Sequence, residues 1–248
     1  MRFIFLIIMV LLLNFSKAQN IPSIQTDRPD QTECPFIVPK KNFQAEIGFA
    51  YEKVGKNSSS VLLPSCLFKF GISDKTELRL ITEVEQLKQH PEKKTGLNPV
   101  VIGFKTNILQ EKGMLPTISF IGHLSLPNVA SCENKADFFA PAFRFTMQHT
   151  LSSKVSLGYN LGAEWDGFTP EPTFIYTVTT GISLSEKFGC YAELYGFAPQ
   201  KSTADHYADA GFTFLLNNDI LFDVAAGIGL TPAASTFFIG TGFSFRLR

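Results

Sequence analysis

The stretch Phe237-Phe238-Ile239-Gly240-Thr241-Gly242-Phe243-Ser244-Phe245-Arg246-Leu247 changes character at every step. One parity holds Phe237, Ile239, Thr241, Phe243, Phe245 and Leu247; the other holds Phe238, Gly240, Gly242, Ser244 and Arg246. A strand sends successive side chains to opposite faces, so each set shares one face, whereas a helix would scatter both around its circumference. The stretch predicts a strand with one bulky apolar face and one small or charged face.

The same rhythm recurs upstream. Phe43, Ala45, Ile47, Phe49 and Tyr51 oppose Gln44, Glu46, Gly48 and Glu52; Leu78, Leu80, Thr82 and Val84 oppose Glu77, Arg79, Glu83 and Glu85. Val100, Ile102, Phe104 and Thr106 oppose Gly103, Lys105 and Asn107, and Phe143, Phe145 and Met147 oppose Arg144, Thr146 and Gln148. Twelve such segments start near Asn42, Val61, Thr76, Leu97, Met114, Phe138, Lys154, Thr173, Phe188, Asp205, Ile220 and Ser235. Even-numbered segments end in tight polar turns such as Ser73-Asp74-Lys75, Ser185-Glu186-Lys187 and Asn217-Asn218-Asp219. Odd-numbered ones are followed mostly by longer connections, as in Lys88 to Gly96 and Pro127 to Asp137.

Short turns at one end and longer loops at the other predict an all-β chain: an antiparallel transmembrane β-barrel of about twelve strands, its short turns and both chain ends in the periplasm of a Gram-negative bacterium. A soluble sandwich or lipocalin-like barrel is the competing architecture. It would fill its interior with the bulky parity. Here the opposite row is the one rich in glycine, alanine and serine, and aromatics gather near segment ends (Tyr51, Trp165, Phe188, Phe243, Phe245) as interfacial girdles do.

Composition agrees. Twenty-five phenylalanines and 18 glycines accompany a single tryptophan, which suits strands and turns. The formal net charge is zero, so nothing points to nucleic acid. Residues 1–18 read as a signal peptide: Arg2, an apolar run from Phe3 to Leu13, and Ser16-Lys17-Ala18 as a small-x-small cleavage site. An uncleaved anchor is the alternative. No later stretch approaches the roughly 20 apolar residues a membrane helix needs. Residues 19–41 then form a polar leader and 42–248 the barrel. Cys34, Cys66, Cys132 and Cys190 are scattered and read as isolated thiols, with a Cys34–Cys132 bridge as the one pairing left open. No cofactor motif is present, and His90, His123, His149 and His206 are too dispersed for metal ligation.

Thr26-Asp27-Arg28-Pro29-Asp30-Gln31-Thr32-Glu33-Cys34-Pro35, followed by Val38-Pro39-Lys40-Lys41-Asn42-Phe43-Gln44-Ala45-Glu46-Ile47-Gly48-Phe49, resembles the outer-membrane transporter family labelled "MetA-pathway of phenol degradation". Thr76-Glu77-Leu78-Arg79 is similar to that family as well. Cys34 stands where the family has serine, and Phe245-Arg246-Leu247-Arg248 replaces a terminal aromatic, which bears on recognition by the barrel-insertion machinery. The resemblance implies a barrel that passes or binds small solutes, hydrophobic or aromatic ones among them.

The leader from Gln25 to Glu33 is too polar for a strand. Arg28 offers a planar bidentate donor, and Asp27, Asp30 and Glu33 offer acceptors, so it is expected to dock at the periplasmic mouth or in the lumen; a solvated leader is the alternative. The expected lumen network comprises Arg28, Asp30, Glu46, Lys69, Glu77, Arg79, Glu83, Lys105, Arg144, Glu164, Glu193, Asp223 and Arg246, with Glu85, Lys154, Asp166 and Asp209 on the same row. Two functions fit it: a mildly acidic selectivity lining, or a salt-bridge network that plugs and braces the bore. His123 and Ser125 share one strand face, as in outer-membrane phospholipases, but Ile118, Phe120, Leu124 and Leu126 claim the lipid side and turn the pair inward without a third orienting group. An enzyme is therefore not expected. A monomeric channel for a small solute in outer-membrane lipid is, with a plugged interaction barrel as the alternative.

Overall fold

The computed structural model describes residues 22–131 and 134–248; the signal peptide and Cys132 lie outside them, and with Cys132 the Cys34–Cys132 pairing. Strands run Phe43–Gly55 (β1), Ser58–Gly71 (β2), Thr76–Gln89 (β3), Glu92–Leu97 (β4), Val100–Leu109 (β5), Thr117–Leu126 (β6), Ala140–Thr150 (β7), Val155–Glu164 (β8), Thr173–Ser183 (β9), Phe188–Pro199 (β10), Asp205–Asn217 (β11), Ile220–Gly229 (β12) and Phe237–Leu247 (β13). Each pairs antiparallel with its neighbour. The circle closes where β13 meets β1, from Phe43↔Leu247 to Lys53↔Phe237. Closure pairs the spanning strands on both sides, a condition for crossing hydrocarbon with strands.

β4 and β5 occupy one barrel position. β3 pairs with β5 over Thr76–Ile81 and with β4 over Val84–Gln89, and Asn98-Pro99 breaks the strand between. The barrel thus has twelve positions. The connection expected from Lys88 to Gly96 is instead a strand hairpin, with Gln86 Nε2 donating to Thr95 Oγ1 at 3.1 Å. Glu92, Lys93, Lys94 and Thr95 are all exposed, so both faces meet water there and no polarity alternation betrays the strand. The weak alternation near Val61 has a cause too: Pro64, which cannot donate to the ladder, sits at a register shift between Leu62 and Ser65.

The wall is inverted relative to a soluble protein. Phe49, Leu78, Ile102, Phe104, Phe145, Leu161, Phe212 and Ile239 are exposed on the outer surface, while Gln44, Glu46, Lys69, Glu77, Lys105, Ser119, Thr146 and Asn160 are buried inside. Outer aromatics pack across strands, with Phe120 5.2 Å from Phe145 and 6.0 Å from Phe104, centroid to centroid. Ordinary folding would bury the first set and solvate the second. Only a lipid surround makes this arrangement stable.

Candidate functional site: the lumen and its threaded leader

Residues 22–42 have no regular structure and run inside the barrel, up from the short-turn end and back. Their peptide groups, which lack a ladder, take partners from the wall. At the mouth Ile24 N donates to Asn218 O (2.8 Å), and Arg246 donates to Pro22 O (2.8 Å) and to Asp219 (2.7 Å). Higher up, Asp27 N and Arg28 N donate to Glu46 at 2.9 and 3.1 Å. At the tip Gln31 N and Thr32 N donate to Glu193 (2.8 and 2.7 Å), and Glu33 exchanges two hydrogen bonds with the Asn160 amide (2.7 and 3.0 Å). On the way down Val38 N donates to Glu77 (2.7 Å) and Lys41 N to Gly71 O (2.7 Å). The docking expected of the leader is what the chain does.

Asp27 is the hub. Its carboxylate takes Lys105 Nζ at 2.6 Å, Arg79 Nη1 at 2.9 Å and Lys69 Nζ at 3.0 Å. Lys69 also pairs with Glu46, and Arg79 with Glu33 (2.6 Å) and Glu77 (3.2 Å). Three cations thus meet four carboxylates, three of them holding the leader's own atoms. Burial alone would push the Asp27 carboxyl up, but Lys105, Lys69 and Arg79 outweigh it and hold it well below the usual range; Glu33 is lowered in the same way, Arg79 being the chief opposing charge. Burial pushes the Cys34 thiol up to about 12, beside Asp27, leaving it unreactive.

Arg28 makes the expected bidentate contact, Nη2 to Asp223 Oδ1 at 2.8 Å and Nε to Oδ2 at 3.3 Å. Its guanidinium rests against Gly48 and Gly242, which face each other across the β1–β13 seam; a Cβ on either would collide with it. These two lumen-row glycines are a seat cut for the leader.

Asp30 departs from expectation. Among the described residues it has no cationic partner; it faces Glu193, Asp209 and the Thr179 hydroxyl. Burial, then the charge of Glu193, hold its carboxyl well above the usual range. Asp209 Oδ1 is itself buried without a hydrogen-bond partner, while Tyr191 donates to Oδ2 at 3.2 Å.

Toward the long-loop end the leader is absent. Glu83 accepts from Ser65 Oγ (2.7 Å), Glu85 from Ser60 Oγ (2.6 Å) and Asn98 Nδ2 (3.1 Å), and Glu52 from Ser235. None of the three has an ion-pair partner among the described residues. Arg144 bridges the halves, 4.0 Å from Glu33 and 3.8 Å from Glu164. Tyr195 stacks on Tyr207 (4.8 Å, 7°) with Phe197 edge-on, an inward aromatic cluster. Two expected lumen residues lie elsewhere. Lys154 sits in the turn before β8, and Asp166 caps a loop by accepting from Phe168 N and Thr169 N at 2.8 Å each. Strand ends, where period two gives way to turn geometry, misplace such residues.

His123 and Ser125 do face inward. They share no hydrogen bond, and His123 Nε2 is buried without a partner among the described residues. No metal-holding group of three or more His, Cys, Asp or Glu occurs among the described residues. Sequence reasoning passed over Asn160 and Ser119, signalled by polar side chains on a lumen row, and Thr32 of the leader, whose hydroxyl meets Thr177 and Glu193.

The fold is that of outer-membrane barrels, and its lipid-exposed wall places it in that membrane. It is similar to the COG4313 outer membrane channel from Pseudomonas putida F1 (7% identity, 89% of this chain and 99% of that one, TM-score 0.68). It is also similar to the NanC porin (9% identity, 83% and 100%, TM-score 0.57) and the KdgM porin (10% identity, 82% and 99%, TM-score 0.53). No curated protein sequence matches it. The family model described as "Putative MetA-pathway of phenol degradation" matches residues 26–247, which hold the leader's Asp27 hub and every strand of the barrel, and the chain belongs to this family.

Proposed function

We propose that the chain is a non-enzymatic outer-membrane channel for small neutral or cationic solutes. One observation carries this reading: the leader draws Lys69, Arg79 and Lys105 to itself and leaves Glu52, Glu83 and Glu85 without counter-ions in the wider half. A bore whose fixed cations are neutralised and whose mouth is acidic rejects anions. The rings of Tyr195, Phe197 and Tyr207, joined to Glu52 through Ser235, suit a small aromatic solute in neutral form, which agrees with the family's phenol label. The Pseudomonas putida protein is described as a channel and NanC and KdgM as porins, in line with transport. The barrel works as a monomer in outer-membrane lipid, set there by the barrel-insertion machinery, with no nucleic-acid partner and no cofactor.

The network around Asp27 supports a second reading, a plugged barrel that displays loops. Purified protein in liposomes separates the two. A channel gives swelling that slows with solute size and a reversal potential favouring cations; electrically silent, non-swelling vesicles would leave the plugged barrel standing.

A further inference from the structure

We propose that solute leaves through a cleft between the leader and the β8–β11 wall while the leader stays docked, a claim that rests on the channel reading above.

The leader fills the bore unevenly. On the β1–β6 side the lumen row consists of large polar groups, and Glu46, Lys69, Glu77, Arg79 and Lys105 all bond to the leader's atoms or to its carboxylates. At the same height on the other side the row is Ser156, Gly158, Thr179, Gly181, Gly189 and Thr213. The Thr179 hydroxyl meets Asp30 at the inner end, and the others make no hydrogen bond or ion pair to the leader among the described residues. A cleft of about 450 Å³ remains, bounded by the leader from Ser23 to Cys34 on one side and by that small-residue wall on the other. This lies within the roughly 300–1,000 Å³ of small-molecule sites. It opens at the short-turn end beside Lys154 and Lys187 and reaches inward to Asp30 and Tyr191.

The leader's anchoring bonds are made to the opposite wall or at the cleft's two ends, although Arg28 and Thr32 also border the cleft. Asp27 and Arg28 bind β1–β5 and β12, the backbone of Gln31 and Thr32 binds Glu193 at the inner end, and Arg246 holds the foot. A solute moving along Ser156, Thr179 and Thr213 breaks none of these bonds. Displacing the leader would break all of them and strand Lys69, Arg79 and Lys105 beside an empty bore.

The lining also names a solute class. Hydroxyls and bare peptide groups offer hydrogen bonds without charge, and Asp30, which has no cationic partner, stands at the inner end. Arg28, Lys154 and Lys187 border the cleft together with Asp30, Glu33 and Glu186, so its charges balance and the route fits small neutral hydroxylated molecules.

The glycines supply a test. A Cβ on Gly181 meets only Ser156 Oγ, at 2.8 Å, and that hydroxyl can rotate away, so a larger side chain there projects into the cleft without striking backbone. Gly181→Phe and, independently, Ser156→Phe are compared with the unaltered protein in glycerol-loaded liposomes, folding being checked by heat-modifiable gel mobility. A third variant locks the leader. Thr32 Oγ1 and Thr177 Oγ1 lie 2.6 Å apart, so Thr32→Cys with Thr177→Cys, in a background with the four native cysteines changed to serine, allows an oxidised bridge visible as a mass change. Both folded Phe variants are expected to slow glycerol entry about tenfold, while the oxidised lock keeps the unaltered rate. Phe variants that swell at the unaltered rate, or a lock that stops uptake, overturn the cleft and leave leader displacement as the route. A native protein that passes nothing overturns the channel reading itself, a result distinct from either.

Discussion

The two halves of the lumen are built from the same wall, alternating at the same period, yet their charges meet different fates. In the leader-filled half the buried cations Lys69, Arg79, Lys105 and Arg246 each sit within ion-pair distance of a carboxylate, and the largest buried side chains among the described residues, Lys69 and Lys105 among them, are found there. In the open half Glu83 and Glu85 accept hydrogen bonds only from hydroxyls and an amide. The wall alone does not create this difference. It arises because a tethered segment supplies Asp27 and Glu33, completing one half's electrostatics and leaving the other's as they are. In our proposal the two rival readings of one row of residues, a selectivity lining and a bracing network, apply at different depths.

That contrast is broken most severely at Asp27. Asp27→Ala leaves Lys69, Arg79 and Lys105 short of a shared counter-ion at a site with almost no solvent exposure, and removing one partner from such a group costs about 3–5 kcal/mol. We expect the leader to become cleavable by protease from the periplasmic side and the melting point in detergent to fall. Retained protection would mean that the backbone bonds to Glu46, Glu77 and Glu193 suffice to hold it.

Arg28→Ala is the next largest. It removes a bidentate pair with Asp223 and empties the seat between Gly48 and Gly242, and loss of hydrogen bonds to a charged group costs about 1.5–3 kcal/mol. The seat sharpens the test: Gly48→Ala should reproduce much of the loss with the pair's chemistry untouched, because the nearest atoms to the added Cβ all belong to the guanidinium. If Gly48→Ala melts like the unaltered protein, the seat is not a constraint.

How far the sequence reveals this contrast follows from what each part must satisfy. Hydrocarbon imposes period two on every spanning segment, so the strand starts at Thr76, Thr173, Phe188, Asp205 and Ile220 are legible to the residue. Where water touches both faces, as at Glu92–Leu97, the constraint vanishes and so does the signal. The lumen row is legible for the same reason as the lipid row. The partners on it are not, because twelve strand positions converge on one bore and distance along the chain says nothing about distance across it. Asp27 and Asp30 show the limit: two leader carboxylates three residues apart, one ringed by three cations and the other facing Glu193 and Asp209. Only the path of the loop tells them apart.

In the open half the expected effect falls on selectivity instead of stability. Glu83→Gln combined with Glu85→Gln keeps the size of both side chains and their capacity to accept from Ser65 and Ser60. Stability should stay within about 0.5 kcal/mol, as for substitutions that break no buried pair. The reversal potential in a salt gradient should shift toward zero as the mouth loses two fixed charges. An unchanged potential would place the selective step in the leader-filled half.

The smallest effect is in acid, where the two leader carboxylates pull in opposite directions. Asp27 is lowered when docked, so its contribution is present above its ordinary value of 3.8 and is lost as pH falls below that. Asp30 is raised when docked, with Glu193 on β10, Asp209 on β11 and Thr179 on β9 facing it. The docked leader therefore binds this proton more tightly than a free one, so the favourable contribution is complete below 3.8 and is lost as pH rises through the docked value. Protection of the leader from protease should accordingly improve on mild acidification from neutrality and collapse only when Asp27 begins to protonate. Asp30→Asn removes the like charge, so it should strengthen docking at neutral pH by less than about 1 kcal/mol and abolish the improvement on acidification, leaving the Asp27 collapse in place. A variant that still tightens in mild acid would put the responsible proton on the Glu193 and Asp209 pair of the wall, and the leader would be reading the wall's titration instead of its own.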